Sequence, residues 1–380
     1  MYLTSRGRGM RKKKYYIFQR LTSIYSYILL EAKRHHRNAI SIIIEMVCLY
    51  IKNGIGPNYY ILAGMADKNM RWQEKCQHIS HAKYHEALDI LNPRAYRKVT
   101  QNKLDEKALL TLANIPTAKF IGFYHPVEGF DSDGNALTNI SELANLLLNH
   151  QGNKICAKLL EGYGGKGFFV GEIQRTESRN SDVIIQGLMG KGGKSLNQLL
   201  SGYGELFNDK GLLFESYIEQ CQDYAKFNYT SVNTVRIWVL QTAQNINVIG
   251  AYFRVGRKGS LTDNGDGGGI MCPIDITTGM LAKGLLTSTS YRDELTEHCD
   301  NHVQLEGVVL SGWQDIISCS CETLRKLPYT RFAGLDVCMT NKGPVIIEVN
   351  VQPDKDGAAY AKIPSYLLAL AASELKDSLL

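Results

Sequence analysis

The sequence predicts an α+β fold in which a mainly helical N-terminal region precedes a strand-rich remainder. Apolar residues recur at three- and four-residue spacing through Tyr15–Ile51, and polar-aromatic helical segments continue from Asn69 to Arg97. From Asn102 onward, short β-branched and aromatic runs alternate with glycine-rich loops, which is the pattern of strands and hairpins. A chain of 380 residues with 44% hydrophobic composition can fill one large multi-lobed domain or two domains.

The elements after the helical region follow from the same two patterns. Helices are predicted at Lys103–Leu112, Ser141–Leu148 and Leu196–Leu200. Strands are predicted for the apolar runs bounded by turns, at Lys119–Tyr124, Lys154–Leu160, Phe168–Ile173, Val183–Gln186, Leu212–Ile218, Thr234–Leu240, Val248–Val255 and Ile270–Ile274. Two further strand-like runs, Arg331–Asp336 and Val345–Asn350, are joined by a short turn at Asn341–Pro344.

The positive charge of the chain is concentrated at its beginning. The net charge is +6, and residues 1–20 hold seven basic residues and no acid, which leaves −1 for residues 21–380. A nearly neutral body does not indicate a nucleic-acid-binding surface. The basic tail is predicted to be a solvated arm, with contact to an anionic membrane surface or to nucleic acid as the alternatives.

The cysteines and the longest apolar run indicate the cellular compartment. Nine scattered cysteines without a C-x-x-C pair indicate reduced thiols rather than a zinc module or a disulfide framework. The apolar run Ile40–Ile51 is interrupted by Glu45 and is too short to cross a bilayer. A cytoplasmic protein without a transmembrane segment is therefore expected.

Three oxygen-bearing side chains near the end of the chain predict a magnesium site. Asp336 ends the first of the two final runs, and Glu348 and Asn350 lie in the second. Because side chains alternate between the faces of a strand, Glu348 and Asn350 point the same way, and a hairpin would bring Asp336 to them. Mg²⁺ binds such hard oxygen ligands while phosphates and water complete its coordination. The set predicts that the chain handles a nucleoside triphosphate.

The first of three glycine-rich loops, Gly162–Gly167, predicts a flap over phosphates. It formally matches G-x-G-x-x-G, but a dinucleotide-binding loop must lead into a helix, and here Phe168–Val170 predicts a strand. A strand–loop–strand hairpin instead suits a flap that lays backbone N–H groups over ATP phosphates. Lys158, inside the preceding apolar run, is suited to contact phosphate oxygens. A plain hairpin with a lysine at its edge is the alternative.

The second loop, Gly187–Ser195, differs from a Walker A loop in its spacing. The pattern G-x-x-x-x-G-K-[ST] would require a glycine at position 188, which is Leu188. The amides of such a loop wrap the phosphate closely, so one extra residue is poorly tolerated. An ordinary loop is therefore favoured over a P-loop.

The third loop, Asp263–Gly269, follows a strand that carries Arg254. Four glycines in five positions let the backbone approach a ligand closely, although a loose hairpin loop with local Asx turns is the alternative. Arg254 and Arg236 are each a charge within an apolar strand. Because guanidinium recognises phosphate and carboxylate through two parallel hydrogen bonds, both are candidates for binding an anion.

The order of these parts resembles the ATP-grasp superfamily of carboxylate–amine ligases. The matching parts, in chain order, are Lys103 with Ile115-Pro116-Thr117, Lys158 with the glycine flap, Leu213–Ile218 as the strand whose backbone holds adenine, Arg236, Arg254, and Asp336 with Glu348-x-Asn350. Residues 231–236, 254–256, 263–269 and 332–353 look more specifically like the sugar-transfer-associated ATP-grasp branch, which is proposed to act in cell-surface polysaccharide synthesis. The resemblance spans residues 60–365.

The resemblance implies a fold with two α/β subdomains whose antiparallel sheets clamp ATP. The implied divisions are a basic tail at residues 1–20, a helical region at 21–100, a small subdomain with the flap at 101–220 and a large subdomain with the metal site at 221–380.

The resemblance also implies a role for each candidate residue. Phosphate contacts would come from Lys103, Lys158, Gly164, Gly165 and Gly167, and Glu215 and Ile218 would bracket adenine, with Gln222 or Asp223 near the ribose. Asp336, Glu348 and Asn350 would hold Mg²⁺, with Mn²⁺ as the alternative metal. Arg254 and Asn264 resemble residues that line the acyl-phosphate site of peptide ligases, and Arg236 is a further catalytic candidate.

The implied function is an ATP- and Mg²⁺-dependent ligase that joins a small-molecule carboxylate to an amine through an acylphosphate. One of the two substrates would be linked to a sugar or to a cell-surface polysaccharide precursor. A first alternative is a small-molecule or sugar kinase on the same fold, in which a hydroxyl attacks the γ-phosphoryl group. A second alternative is a non-catalytic nucleotide-binding protein of a polysaccharide assembly complex.

Overall fold

Two seven-stranded antiparallel sheets follow a helical N-terminal region, which confirms the predicted α+β class. The computed structural model describes residues 24–162, 167–175, 183–188, 192–203, 210–286 and 292–379. The basic tail at residues 1–20 and the flap residues Gly164 and Gly165 lie outside the described residues.

The N-terminal region is helical, as predicted. Its helices are residues 24–34, α1 (Ala39–Asn53), α2 (Pro57–Leu62), α3 (Trp72–Lys75), α4 (His81–Leu91) and α5 (Arg94–Gln101). Helix α1 begins where the Asn38 side chain accepts a hydrogen bond from the Ile40 N–H, and it ends at Gly54, whose φ of 72° is the left-handed conformation that favours glycine. Across the described residues, no helix combines the length and the apolar composition needed to cross a membrane.

The first sheet carries the glycine flap. Its strands are β1 (Phe120–Tyr124), β2 (Phe130–Asp131), β3 (Lys154–Leu159), β4 (Phe169–Arg175), β5 (Val183–Gly187), β6 (Lys194–Ser195) and β7 (Leu212–Ser216), in the order β2-β1-β7-β3-β4-β5-β6. Helix α6 (Lys103–Leu112) leads into the sheet, and α7 (Ile140–Leu148) and α8 (Leu196–Ser201) pack on it through buried leucines. Strands β3 and β4 pair antiparallel, so the flap joins the two strands of a hairpin, as predicted.

The second sheet carries the predicted metal ligands. Its strands are β8 (Thr234–Gln241), β9 (Ile246–Val255), β10 (Ile270–Pro273), β11 (Gly284–Leu286), β12 (Glu294–Leu295), β13 (Phe332–Thr340) and β14 (Gly343–Asn350), in the order β12-β11-β10-β9-β8-β13-β14. The accompanying helices are α9 (Gln222–Ala225), α10 (Trp313–Arg325), α11 (Lys355–Tyr360) and α12 (Tyr366–Leu379). Strands β13 and β14 form the predicted hairpin.

The central strands of the second sheet are covered on both faces. Ile237 and Val239 of β8 pack in a core that includes Ile316 of α10, whereas Trp238 and Leu240 pack in a core that includes Leu88 of α4. Because successive side chains of a strand point to opposite faces, this division places α10 on one face and α4 on the other. Helices therefore pack against both faces of this sheet.

Asn92 ties the helical region to the second sheet. Its buried side chain donates to the carbonyl oxygens of Phe332 and Val351, both at 2.7 Å, and accepts from the backbone N–H groups of Arg331 and Phe332 at 3.0 and 3.1 Å. One side chain therefore fixes both the start of β13 and the chain that leaves β14.

A short connection joins the two sheets. The Ile346 N–H of β14 donates to the Pro116 carbonyl at 2.8 Å, and the Thr117 hydroxyl donates to the Ile346 carbonyl at 3.0 Å. These bonds hold the link between α6 and β1 beside β14. A cleft opens between the two sheets at this point.

Candidate active site

The cleft between the sheets has a volume of about 290 Å³ and is lined by residues of both. Among the described residues, ten charged ones line it, five basic and five acidic: Lys103, Lys107, Lys158, Arg236, Arg254, Glu106, Glu215, Asp263, Asp336 and Glu348. Asn264, Ile218 and Asn350 line the same cleft. The structure therefore brings together most of the residues singled out from the sequence.

One row of side chains crosses four strands of the second sheet. Glu348, Asp336, Arg236 and Tyr252 lie directly opposite one another on β14, β13, β8 and β9. Directly opposed residues of an antiparallel sheet share a face, so these side chains are neighbours. Asn350 lies two residues beyond Glu348 and so shares that face of β14. The hairpin thus places the three predicted oxygen ligands on one wall of the cleft.

Asp336 is held by two arginines. Arg236 contacts both of its carboxylate oxygens, one of them through Nη2 at 2.9 Å, and Nη1 of Arg254 donates to Oδ2 at 3.0 Å. Burial alone would raise the pKa of Asp336, but the positive charges of Arg236 and Arg254 outweigh burial and keep that pKa below its usual value. Asp336 is therefore ionised. Among the described residues, its Oδ1 accepts from Arg236 alone, so that oxygen keeps a lone pair for a further partner.

Arg254 bridges two acids. Besides Asp336, its guanidinium donates to Oδ1 of Asp263 at 2.7 Å. The other oxygen of Asp263 accepts from the Thr234 N–H at 3.1 Å and from the Thr234 hydroxyl at 2.5 Å. Asn264 follows Asp263 and begins the 3-10 turn Gly265–Gly267, so the third glycine loop is anchored to β8 and β9 at the cleft.

Glu348 and Asn350 are less constrained than Asp336. The Glu348 side chain is 37% exposed, and its ion pair with Lys103 is long, at 3.8 Å. The Nδ2 atom of Asn350 is buried and has no hydrogen-bond partner among the described residues. Nδ2 is a donor and does not ligate a cation, but the Glu348 carboxylate and the Asn350 side-chain oxygen beside Asp336 make up an oxygen-rich donor set of the kind that a hard divalent cation prefers. The residues present therefore fit the predicted Mg²⁺.

The opposite wall presents a buried trio of Lys158, Glu215 and Lys107. Glu215 is 1% exposed and pairs with Nζ of Lys158 at 2.5 Å and with Nζ of Lys107 at 2.7 Å. Burial would raise the pKa of Glu215, but the two lysines outweigh it and lower that pKa. Lys107 also donates to the Thr117 hydroxyl at 2.6 Å and to the Ala118 carbonyl at 2.9 Å. The trio joins helix α6 to β3 and β7.

Two residues of helix α6 were missed from the sequence, Glu106 and Lys107. Glu106 is buried, and its Oε2 accepts from the Val349 N–H at 3.1 Å. Burial, followed by the nearby charge of Glu348, raises the pKa of Glu106 to about 8. The sequence held one sign that Lys107 belongs to the cleft: Lys103 and Lys107 are one helical turn apart and therefore share a face of the helix. Lys103 itself donates to the Gly162 carbonyl at 3.0 Å, at the base of the flap.

Three other residues singled out from the sequence do not line the cleft. Gly167 closes the flap hairpin with a φ of +71° and packs near Leu159 rather than lining the cleft. Gln222 and Asp223 are exposed on α9, and neither lines the cleft. The geometry therefore gives no support to a ribose contact from Asp223, and that assignment stays a prediction.

Comparison with known proteins gives one strong match. A family model described as "Sugar-transfer associated ATP-grasp" matches residues 83–362. None of the curated proteins matches the chain.

Several solved structures are weakly similar to this chain. One is N5-carboxyaminoimidazole synthetase from Staphylococcus aureus complexed with ADP, with 13% identity, a TM-score of 0.40, and coverage of 72% of this chain and 52% of that chain. Another is L-amino acid ligase from Bacillus licheniformis, with 12% identity, a TM-score of 0.38, and coverage of 73% and 50%. A third is the biotin carboxylase–β,γ-ATP complex from Campylobacter jejuni, with 12% identity, a TM-score of 0.43, and coverage of 75% and 48%. The chain spans about half the length of these proteins.

Proposed function

This chain belongs to the sugar-transfer-associated ATP-grasp family, and we propose that it is an ATP- and Mg²⁺-dependent carboxylate–amine ligase. The observation that carries the proposal is the cleft, where Asp336, Glu348 and Asn350 on one wall face Lys103 and Lys158 on the other. Oxygen ligands suit a divalent cation, and lysines suit phosphate oxygens. Together the two walls suit a metal-bound triphosphate.

The metal would be held by the carboxylates of Asp336 and Glu348 and by the side-chain oxygen of Asn350. When bound, Mg²⁺ neutralises charge on the phosphates during transfer, and Mn²⁺ accepts the same oxygen ligands. The free lone pair of Asp336, the partly exposed carboxylate of Glu348 and the position of Asn350 on the same face of the strand as Glu348 support this assignment.

The nucleotide would lie along the first sheet. Lys103 and Lys158 are proposed to bind the phosphates beneath the flap, whose Gly164 and Gly165 amides would cover them. Glu215 and Ile218 line the same cleft and are proposed to flank adenine. Lys158 would then share its charge between Glu215 and the nucleotide.

The proposed reaction has two steps. An oxygen of the substrate carboxylate attacks the γ-phosphorus, and the bond from that phosphorus to the β-phosphate oxygen breaks, which gives an acylphosphate and ADP. The amine nitrogen then attacks the acyl carbon, inorganic phosphate leaves, and the nitrogen loses one proton. Arg236, Arg254 and Asn264 line the same cleft as the proposed metal ligands, where they can orient the substrate carboxylate and offset its charge. The protein supplies position and electrostatics rather than a covalent nucleophile.

The family description supports a sugar-linked substrate, and we propose that the carboxylate or the amine belongs to a sugar or to a cell-surface polysaccharide precursor. The first screen should measure ADP release with amino acids paired with uronic acids. The appearance of ADP only when both partners are present would support a ligase.

Hydroxylamine trapping tests the chemistry directly. The full chain is incubated with ATP, Mg²⁺, a responding carboxylate and hydroxylamine, and hydroxamate is measured together with ADP. Equal amounts of the two products are expected, because hydroxylamine attacks an acylphosphate. ADP without hydroxamate, together with a phosphorylated hydroxyl compound, would instead favour the kinase. No ADP with any acceptor would favour the non-catalytic alternative.

A further inference from the structure

Helix α1 exposes a continuous apolar face. Ile40, Ile43, Ile44, Val47 and Ile51, here called the apolar stripe, are between 38% and 79% exposed. Four of them follow the spacing i, i+4, i+7 and i+11, so they lie along one side of the helix. The opposite side of the helix is buried through Ile42, Met46 and Leu49, so the apolar stripe is not part of the face that packs in the core.

The exposed side of α1 carries no acid. Glu45 is the one acid in the helix, and it is turned toward the interior, where it pairs with Arg37 at 3.1 Å and with Lys75 at 2.7 Å. The preceding helix at residues 24–34 adds further exposed apolar side chains, at Tyr25, Leu29 and Leu30. Apolar surface of this extent in neighbouring helices marks an interaction site more often than a solvated surface.

The C-terminal end of α1 has the composition of a membrane–water interface. Tyr50 is 63% exposed, and Trp72 is 43% exposed with the Lys52 ammonium 6.0 Å from its ring. Tyrosine and tryptophan favour the headgroup level of a bilayer, where their apolar rings and polar tips are both satisfied. Lysine beside them suits an anionic headgroup.

We propose that the N-terminal helices dock on an anionic lipid bilayer surface. The apolar stripe would enter the headgroup region, and the seven basic side chains of the N-terminal tail, residues 1–20, would contact the lipid phosphates. Charge complementarity favours this occupant over a second copy of the chain. A second copy carries the same seven positive charges in its own tail, and like charges repel, whereas an anionic surface attracts both the tail and Lys52.

Vesicle co-sedimentation with the full chain tests this proposal. The chain is mixed with vesicles of phosphatidylcholine and phosphatidylglycerol, or of phosphatidylcholine alone. Binding is expected to the mixed vesicles and to weaken as salt rises. Each basic residue near an anionic surface contributes about fivefold to affinity, so replacing all seven in the tail by glutamine should abolish measurable binding.

Two charged substitutions test the stripe itself. The double variant Ile44→Glu with Val47→Glu should lower the partition coefficient by at least about tenfold, because an apolar face that carries acids no longer enters the interface. Val127→Glu is the matched control, since Val127 is 81% exposed and lies outside the helical region. All variants should keep the melting temperature of the parent chain, measured by circular dichroism.

Three results would overturn the proposal. One is the absence of binding to the mixed vesicles, and another is equal binding to both kinds of vesicle. The third is a dimer, measured by light scattering, that the double variant dissociates while vesicle binding is unchanged. That last result would assign the stripe to a second copy of the chain.

Discussion

Asp336 and Arg236 lie directly opposite each other on β13 and β8, and their side chains form a two-point ion pair within the cleft. Glu348, directly opposite Asp336 on β14, has no comparable partner in the part of the chain that the structure describes. The two acids of the proposed metal site therefore differ in their structural roles. Substitution of Glu348 should affect chemistry alone, whereas substitution of Asp336 should affect chemistry and stability.

Glu348→Gln should lower ADP release by about a hundredfold or more, because loss of roughly 3 kcal/mol of transition-state stabilisation corresponds to that factor. The melting temperature should not change, since the side chain is partly exposed and makes one long ion pair. A coupled assay for ADP and a circular dichroism melt measure the two quantities. Glu322→Gln is the control, because Glu322 lies on α10 and does not line the cleft, and equal turnover in the two variants would remove Glu348 from the metal site.

Asp336→Asn should lower the free energy of unfolding by about 3 to 5 kcal/mol, the usual result of breaking a buried ion pair. Arg236 would lose its counter-ion, while Arg254 would keep Asp263. Urea denaturation followed by circular dichroism measures the change. An unchanged denaturation midpoint would show that Arg236 does not depend on Asp336.

Lys355→Met should stabilise the protein at neutral and acidic pH. The Lys355 amine is buried without a hydrogen-bond partner among the described residues and lies 3.2 Å from the centroid of the Tyr59 ring. Burial lowers the pKa of Lys355 from 10.5 to about 7. Between these pH values the unfolded chain binds more protons than the folded protein, so the stability of the parent chain rises with pH across this window.

The gain from Lys355→Met should approach roughly 5 kcal/mol below pH 7 and should disappear as pH rises to 10.5, since one pKa unit corresponds to about 1.36 kcal/mol. Urea denaturation at a series of pH values tests this. Lys83→Met on the exposed side of α4 is the matched control. The same pH dependence in Lys355→Met and in the parent chain would contradict the prediction.

Asn92→Asp should destabilise the protein by about 3 kcal/mol or more. The new carboxylate would face the carbonyl oxygens of Phe332 and Val351, and each of them would lose the hydrogen bond that Asn92 donates. Each buried group left without a partner costs about 1 to 3 kcal/mol. Denaturation midpoints compared with those of Asn69→Asp, an exposed asparagine, measure the effect. Equal midpoints would mean that the tie between α4 and β13 is dispensable.

The wall of the cleft that carries Asp336, Glu348 and Asn350 was predictable from the sequence because its geometry is local. Glu348 and Asn350 are two residues apart on one strand, and a tight turn brings Asp336 opposite Glu348. Period-two alternation and a hairpin turn are sufficient to place such residues on one face. The strand–loop–strand form of the flap was predictable for the same reason.

The opposite wall depends on contacts between distant parts of the chain, which a sequence pattern does not encode. Glu106 and Lys107 lie in a helix whose charges look like those of a solvated face, yet both are buried against the sheets. Lys158 was recognised, but its pairing with Glu215 on β7 depends on the strand order. The fourfold hydrogen bonding of Asn92 arises likewise from elements about 240 residues apart.

The ion pairs among the described charged residues of the cleft have a consequence for the proposed binding of a nucleotide. An uncomplexed triphosphate would have to compete with Glu215 for Lys158 and with Asp336 for Arg236, because these cations are already paired with carboxylates. A divalent ion arriving with the nucleotide would supply positive charge that those pairs do not offer. We therefore expect the cleft to discriminate against uncomplexed ATP, so that the cation governs admission as well as turnover.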